Sequence, residues 1–205
     1  KARKINYIQG TARFLDPRTL EIETDSGKRR KISFQKAIIA TGAKVRDLPD
    51  VRINGKEVMG SEEALELKEI PGRLLIVGGG YIGLEMAAIY QGLGSEVSIT
   101  ELTGGFMPGM DRDLVSEFNR MSKHLFKDVF LETFVKKVKK TNKTLQVTFQ
   151  EKGGGEFGHE VDKILVAVGE QPDHSRLGLE NTDVETDEQG FIRVDEKQRT
   201  ANEGI

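Results

Sequence analysis

Three consecutive glycines follow four large apolar residues in the stretch Leu74–Glu85, LLIVGGGYIGLE, and this feature constrains the fold more than any other. Glycine weakens the interior of strands and helices, so such a cluster implies a sharp turn or a close approach of something to the backbone. Leu74–Val77 reads as a parallel strand buried on both faces. Leu84–Leu93 is rich in helix formers, and Gly94 is placed to end the helix. Glu96–Leu102 (EVSITEL) reads as a second strand. Strand, glycine turn, helix and strand in that order make a βαβ unit on a parallel sheet.

Within the turn, Gly78, Gly80 and Gly83 form GxGxxG. Gly78 permits the tight exit from the strand, Gly80 lets the backbone come up against a pyrophosphate, and Gly83 lets helix and strand pack closely. The helix start adds free N–H groups and a partial positive charge. Gly79 occupies the variable position, where a methyl group is expected to be tolerated. Glu101 ends the second strand near the ~20-residue offset at which a carboxylate accepts from an adenosine ribose. A carboxylate there repels a 2′-phosphate, and Leu102–Met107 offers no arginine to receive one, so NAD(H) is favoured over NADP(H).

The flanking sequence is less regular. Tyr7–Phe14, Thr19–Glu23 and Arg30–Phe34 read as an antiparallel meander that feeds a buried strand, Ala37–Thr41 (AIIAT). Ser61–Leu67 is expected as a short helix capped by Ser61, with Glu62 and Glu63 at its positive end. Asp111–Leu125 places Leu114, Val115, Phe118, Met121 and Leu125 on one helical stripe. Val129–Val138, Thr144–Gln150 and Glu160–Val168 then read as three strands. Among the 205 residues there is no cysteine, which excludes thiol chemistry and thiolate metal sites within them. His124, His159 and His174 show no metal-ligand spacing. A formal net charge of −2 gives no reason to expect a nucleic-acid partner, and the basic runs at Lys28–Lys31 and Lys136–Lys140 read as solvated faces. No apolar stretch approaches the ~18 residues of a membrane span and no signal-peptide pattern opens the chain, so a cytoplasmic location is expected.

Several segments, in order, carry a resemblance to a known family: IIATGA (38–43), SEEALELKEIPGRLLIVGGGYIGLEMA (61–87), GSEVSITEL (94–102), MPGMDRDL (107–114), ILVAVGEQP (164–172) and GLENTDVETDEQGFIRVDEKQRT (178–200). They are similar to the flavoprotein disulfide reductases, and most closely to the dihydrolipoamide dehydrogenases among them. The resemblance implies an α/β, Rossmann-like FAD/NAD(P)-binding fold of ββα three-layer type with an antiparallel β-meander insertion. It implies a remnant of an FAD domain over 1–58, an NAD-binding domain over 59–172 and a return segment over 173–205. Gly78, Gly79, Gly80, Tyr81, Ile82, Gly83 and Glu85 would bind NAD, with Ile82 and Glu85 near the nicotinamide. Glu101 would take the ribose, Val135 the adenine, and Gly169 would touch the cofactor near the return crossing. Gly10, Thr41, Gly42 and Ala43 match FAD-contacting positions.

The implied function is the NAD-binding portion of an enzyme that reoxidises dihydrolipoamide through FAD, as a homodimer within 2-oxoacid dehydrogenase complexes. A soluble transhydrogenase, a mercuric reductase or a stand-alone dinucleotide-binding module are the alternatives. The family's FAD phosphate loop, its CxxxxC redox pair and its acid–base pair are not in the sequence. A middle fragment, inactive alone and with no catalytic residue of its own, is therefore expected. Two positions depart from the family pattern: Glu170 and Asp173 stand where it usually has Arg and Asn.

Overall fold

The computed structural model describes residues 4–46, 48–49, 51–122 and 124–205. The chain packs as two compact units, Val45–Glu170 and Lys1–Lys44 with Gln171–Ile205. The first unit begins before residue 59, where an NAD-binding domain is expected to start, because Val51 and Val58 are buried against residues of the sheet.

Unit 45–170 is built on a five-stranded parallel sheet. In chain order its strands and helices are β5 (Val58–Met59), α1 (Ser61–Leu65), β6 (Arg73–Val77), α2 (Tyr81–Gly92), β7 (Glu96–Thr100), α3 (Arg112–Ser122), β8 (Asp128–Phe130) and β12 (Lys163–Val166). The sheet order is β5-β12-β6-β7-β8. Alternation along β6 decides the layering. Leu74 and Ile76 join Val97, Ile99 and Leu165 in a core beneath α2 and α3. Leu75 and Val77 face the other way, into a core shared with Leu145, Val147 and Phe149. Those residues belong to an antiparallel meander of β9 (Thr133–Lys140), β10 (Leu145–Glu151) and β11 (Glu156–Val161), which covers the second face. The result is helix, parallel sheet and meander in three layers, the fold class expected.

Two strand readings divide in the structure. Val129–Val138 is broken at Glu132, whose φ of 49° turns the chain out of β8 and into β9. The run reads as one strand because apolar residues stand on both sides of the break, Val129, Phe130 and Leu131 before it and Phe134, Val135 and Val138 after it. Glu160–Val168 likewise divides into the end of β11 and all of β12. The short helix α1 is capped by Gly60 rather than Ser61, and the Glu63 carboxylate accepts from the Gly60 N–H at 2.8 Å. On α3 the buried face runs through Val115 and Ser122, with Phe118 packed alongside, while Leu114 and Met121 are 62% and 69% exposed. The apolar stripe is thus wider than the contact it makes. Gly94 ends α2 as expected: at φ 101° its N–H donates to Gln91, and that of Ser95 donates to Tyr90.

The other unit contains the antiparallel strands β1 (Thr11–Asp16), β2 (Thr19–Glu23) and β3 (Arg29–Ser33), with a 3₁₀ turn at Leu179–Asn181. Its core is Phe14, Leu177, Leu179 and Val184, with the Phe34 ring edge-on to Phe14 at 5.9 Å. Ala37–Thr41 is not a strand. Only the Ala37 N–H finds a backbone partner there among the described residues, the Gly204 carbonyl at 2.7 Å, and Ile38 is 93% exposed. An apolar β-branched run needs a neighbouring ladder to become a strand, and composition alone does not supply one. Two short strands, β4 (Ala43–Val45) and β13 (Glu170–Pro172), lie where the chain passes from one unit to the other.

Candidate functional site

The register of the parallel sheet brings Val166, Val77, Thr100 and Phe130 into one row. The residues that follow them therefore leave the sheet from one edge, its carboxyl end, where ligands sit in open α/β sheets. A cavity of about 870 Å³ opens there. Its floor is Val77, Gly78 and Gly80 with Ala167–Gly169, and its sides carry Glu101–Thr103 and Thr133–Lys136.

The glycines of the turn divide by what confines them. Gly78 stands at φ 112°, and a Cβ there would lie 2.3 Å from the Ala167 carbonyl oxygen. At Gly83 a Cβ would lie 2.1 Å from the carbonyl oxygen of Gly78. Both are fixed by the fold, as the sequence reading holds. Gly80 differs: its φ of −77° suits any residue, and a Cβ would meet nothing within 4 Å. It is the N-cap of α2, where Ser or Asn is the better choice for the helix. The fold does not require glycine at Gly80, and the open space around it belongs to the cavity. The residues present thus fit a phosphate group laid against the turn.

Gly79 corrects an expectation. A Cβ there would lie 2.6 Å from the Phe106 ring and 3.2 Å from Glu101 Oε2, so a methyl group is not tolerated without movement. The sequence pattern leaves this position variable, but the loop folded over it does not. The Gly79 N–H donates to Glu101 Oε2 at 2.7 Å, and its carbonyl accepts from the Met107 N–H at 2.9 Å.

Glu101 stands one residue beyond β7 and is 8% exposed. Its backbone is held between strands, the N–H donating to Phe130 and the carbonyl accepting from Thr133. Its Oε1 accepts from both the N–H and the hydroxyl of Thr103 at 2.8 Å. The carboxylate therefore lines the cavity and ties the glycine turn to the next loop at once. Sequence spacing locates the residue but not the second task.

Tyr81, Ile82, Val135 and Gly169 also line the cavity, with Gly169 at φ 101°. Glu85 lies on the exposed side of α2, outside the lining residues. Gly10, Thr41, Gly42 and Ala43 all belong to the other unit and are exposed, Gly42 at φ 75°. Sequence reasoning missed Arg46, Phe134 and Pro108, which also face the cavity. They come from loops or a strand edge; Pro108 lies in the segment MPGMDRDL, and a half-exposed Phe on β9 is the other signal that could have drawn notice.

Parallel strands ending at a glycine turn and a helix start, roofed on the second face by a β-meander, make this a Rossmann-type dinucleotide-binding fold. The chain belongs to the pyridine nucleotide-disulphide oxidoreductase family, whose model matches residues 1–205. It is 38% identical over 200 residues to a dihydrolipoyl dehydrogenase of Vibrio cholerae, covering 98% of this chain and 42% of that protein. It is 35% identical over 198 residues to the mitochondrial dihydrolipoyl dehydrogenase 1 of Arabidopsis thaliana, covering 96% of this chain and 39% of the relative. Among solved structures, the Cu(II) complex of the HOCl-induced flavoprotein disulfide reductase RclA from Escherichia coli superposes with a TM-score of 0.85 at 32% identity. That match covers 97% of this chain and 44% of RclA. The chain thus spans about two fifths of the length of the curated relatives it matches.

Proposed function

We propose that this chain supplies the NAD(H)-binding portion of a dihydrolipoamide-oxidising flavoenzyme. The observation that carries the reading is Gly80, a glycine at a helix N-cap that the fold does not need and that opens on the cavity. A bound nicotinamide dinucleotide would supply hydride acceptance, taking two electrons from a reduced flavin. The chain's own residues bind and orient. The Gly80 backbone and the first turn of α2 receive the pyrophosphate. Glu101 accepts from the adenosine ribose hydroxyls, Val135 borders the adenine, and Ile82 and Gly169 flank the nicotinamide end. Glu85, on the exposed side of α2, would lie close to the nicotinamide. FAD would meet Gly10, Thr41, Gly42 and Ala43. Assembly as a homodimer within a 2-oxoacid dehydrogenase complex, and a cytoplasmic site of action, belong to the same proposal. No helix among the described residues is long and apolar enough to cross a membrane.

Calorimetric titration with NADH and NADPH tests it. NADH is expected to bind more tightly, because the buried Glu101 carboxylate excludes a 2′-phosphate. Since Glu101 also holds the turn, a drop in NADH affinity in Glu101→Gln is not diagnostic alone. The diagnostic quantity is the ratio of the two affinities, which should fall toward one in Glu101→Gln. An unchanged ratio removes the assignment of Glu101 to the ribose.

A further inference from the structure

We propose that Arg112 is a positioning residue for dinucleotide binding, holding the loop 102–110 against the glycine turn; this rests on the dinucleotide reading above. Arg112 is the first residue of α3, and its guanidinium reaches back to three carbonyls of that loop. Nε donates to Met110 O at 2.9 Å, Nη1 to Phe106 O at 3.2 Å, and Nη2 to Met107 O. A guanidinium presents its N–H groups in one fixed plane, so a single side chain can gather several acceptors at set angles, which an ammonium cannot.

What the clamp gathers is the strained part of the loop. Met107 stands at φ 49°, a conformation bulky residues seldom adopt and keep only when their surroundings enforce it. In that conformation its N–H meets the Gly79 carbonyl at 2.9 Å. The preceding residue, Phe106, is 6% exposed and edge-on to Phe118 and Phe126 at 6.5 and 6.3 Å. Its ring is the one that closes over Gly79. Leu102, Thr103 and Pro108 of the same loop line the cavity. A chain of contacts thus runs from Arg112 through Met107 to the peptide that precedes Gly80.

Arg112 itself is exposed and takes no part in the buried clusters. Its removal leaves the core intact and lets water take the three carbonyls. Met107 is then free to leave its left-handed conformation, and the glycine turn loses one of its two fixed partners. The result is a loss of binding in a protein that remains folded.

The test compares the parent chain with Arg112→Ala and Arg112→Lys by NADH calorimetry, urea unfolding and amide hydrogen exchange. Arg112→Ala is expected to bind NADH about tenfold more weakly, with an unchanged urea midpoint and faster exchange at the Met107 amide. Millimolar guanidinium should restore its affinity while leaving the parent unaffected, and Arg112→Lys should recover little. Parent-like binding by either variant overturns the proposal, as does a loss that follows the unfolding midpoint and resists guanidinium. Failure of both variants to fold overturns it too, since the guanidinium would then belong to the fold. A parent chain that binds no dinucleotide removes the functional reading and this inference with it, whereas failure of the inference alone leaves parent binding intact.

Discussion

Replacing the glycines of the turn one at a time separates what the fold demands from what a ligand demands. Gly80→Val adds a branched side chain at a position with φ −77°, where a Cβ meets nothing within 4 Å. Its effect on folding is limited to the N-cap, where replacing glycine by an apolar residue costs about 1 kcal/mol or less. Its effect on binding is a side chain where, on the proposed reading, the phosphate oxygens lie, and it is expected to weaken NADH at least tenfold, about 1.4 kcal/mol. Gly79→Ala reverses the order of effects. Its methyl group would sit 2.6 Å from the Phe106 ring, itself packed against Phe118 and Phe126, so the ring has to shift. Overpacking of this kind costs about 1–3 kcal/mol. Gly78→Ala and Gly83→Ala meet backbone oxygens at 2.3 and 2.1 Å, which cannot move without displacing β12 or α2. Both are expected to destabilise more than Gly79→Ala. Urea unfolding gives the stabilities and NADH calorimetry the affinities. Gly80→Val binding like the parent, or proving the least stable of the four, refutes the reasoning.

Three further expectations concern the scaffold. Arg73 binds Asp162 through its side chain and backbone N–H at 2.9 and 2.8 Å, and Glu160 at 2.8 Å. Burial raises the Asp162 carboxyl, but the hydrogen bonds from Arg73 outweigh it and hold the group below its ordinary value. A depressed carboxylate stabilises above its unfolded pKa and loses that contribution as pH falls through the folded one. The urea stability gap between parent and Arg73→Met should therefore hold steady from about pH 7 to 5 and shrink below about pH 4. Tyr90→Phe removes the hydroxyl that donates to the Ala64 carbonyl at 2.9 Å and should cost about 1–3 kcal/mol, read from the same unfolding curves. Phe149→Ala empties a fully buried site between Phe130 and Phe157, 5.0 and 5.1 Å away, and should cost about 3–5 kcal/mol; a loss under 1 kcal/mol means the two layers are not coupled there.

The part of the chain most legible in its sequence is the part held together locally. The run Arg73–Thr100 holds strand, turn, helix and strand in one short stretch whose two strands pair with each other, Arg73 opposite Glu96 through Val77 opposite Thr100, and Glu101 follows at a fixed offset. Its neighbours were harder because their structure depends on distant partners. Val129–Val138 looks continuous until Glu132 takes a left-handed turn, whose reason is that β8 must pair with β7 while β9 crosses to the meander. Ala37–Thr41 has the composition of a strand, and strands are made by neighbours rather than by composition. The α3 stripe announces more apolar surface than Val115 and Phe118 need, so periodicity gave the helix but not which residues it buries. At the site, the glycines and Glu101 have a motif. Met107 and Arg112 fall in the segment MPGMDRDL, but nothing in it tells their role, and Phe106 lies outside it; that role arises only when the loop folds back on Gly79.

The two hydrogen bonds on Gly79 and the pair that Thr103 makes with Glu101 are made within the chain itself. Ordering a residue costs about 1–2 kcal/mol of backbone entropy, and here that cost is met in folding rather than at the moment of encounter. On the proposed reading, a dinucleotide therefore meets a rim whose groups are already tied to one another. On that reading, discrimination among nucleotides would be expressed in their residence times, with the wrong one leaving sooner rather than arriving later.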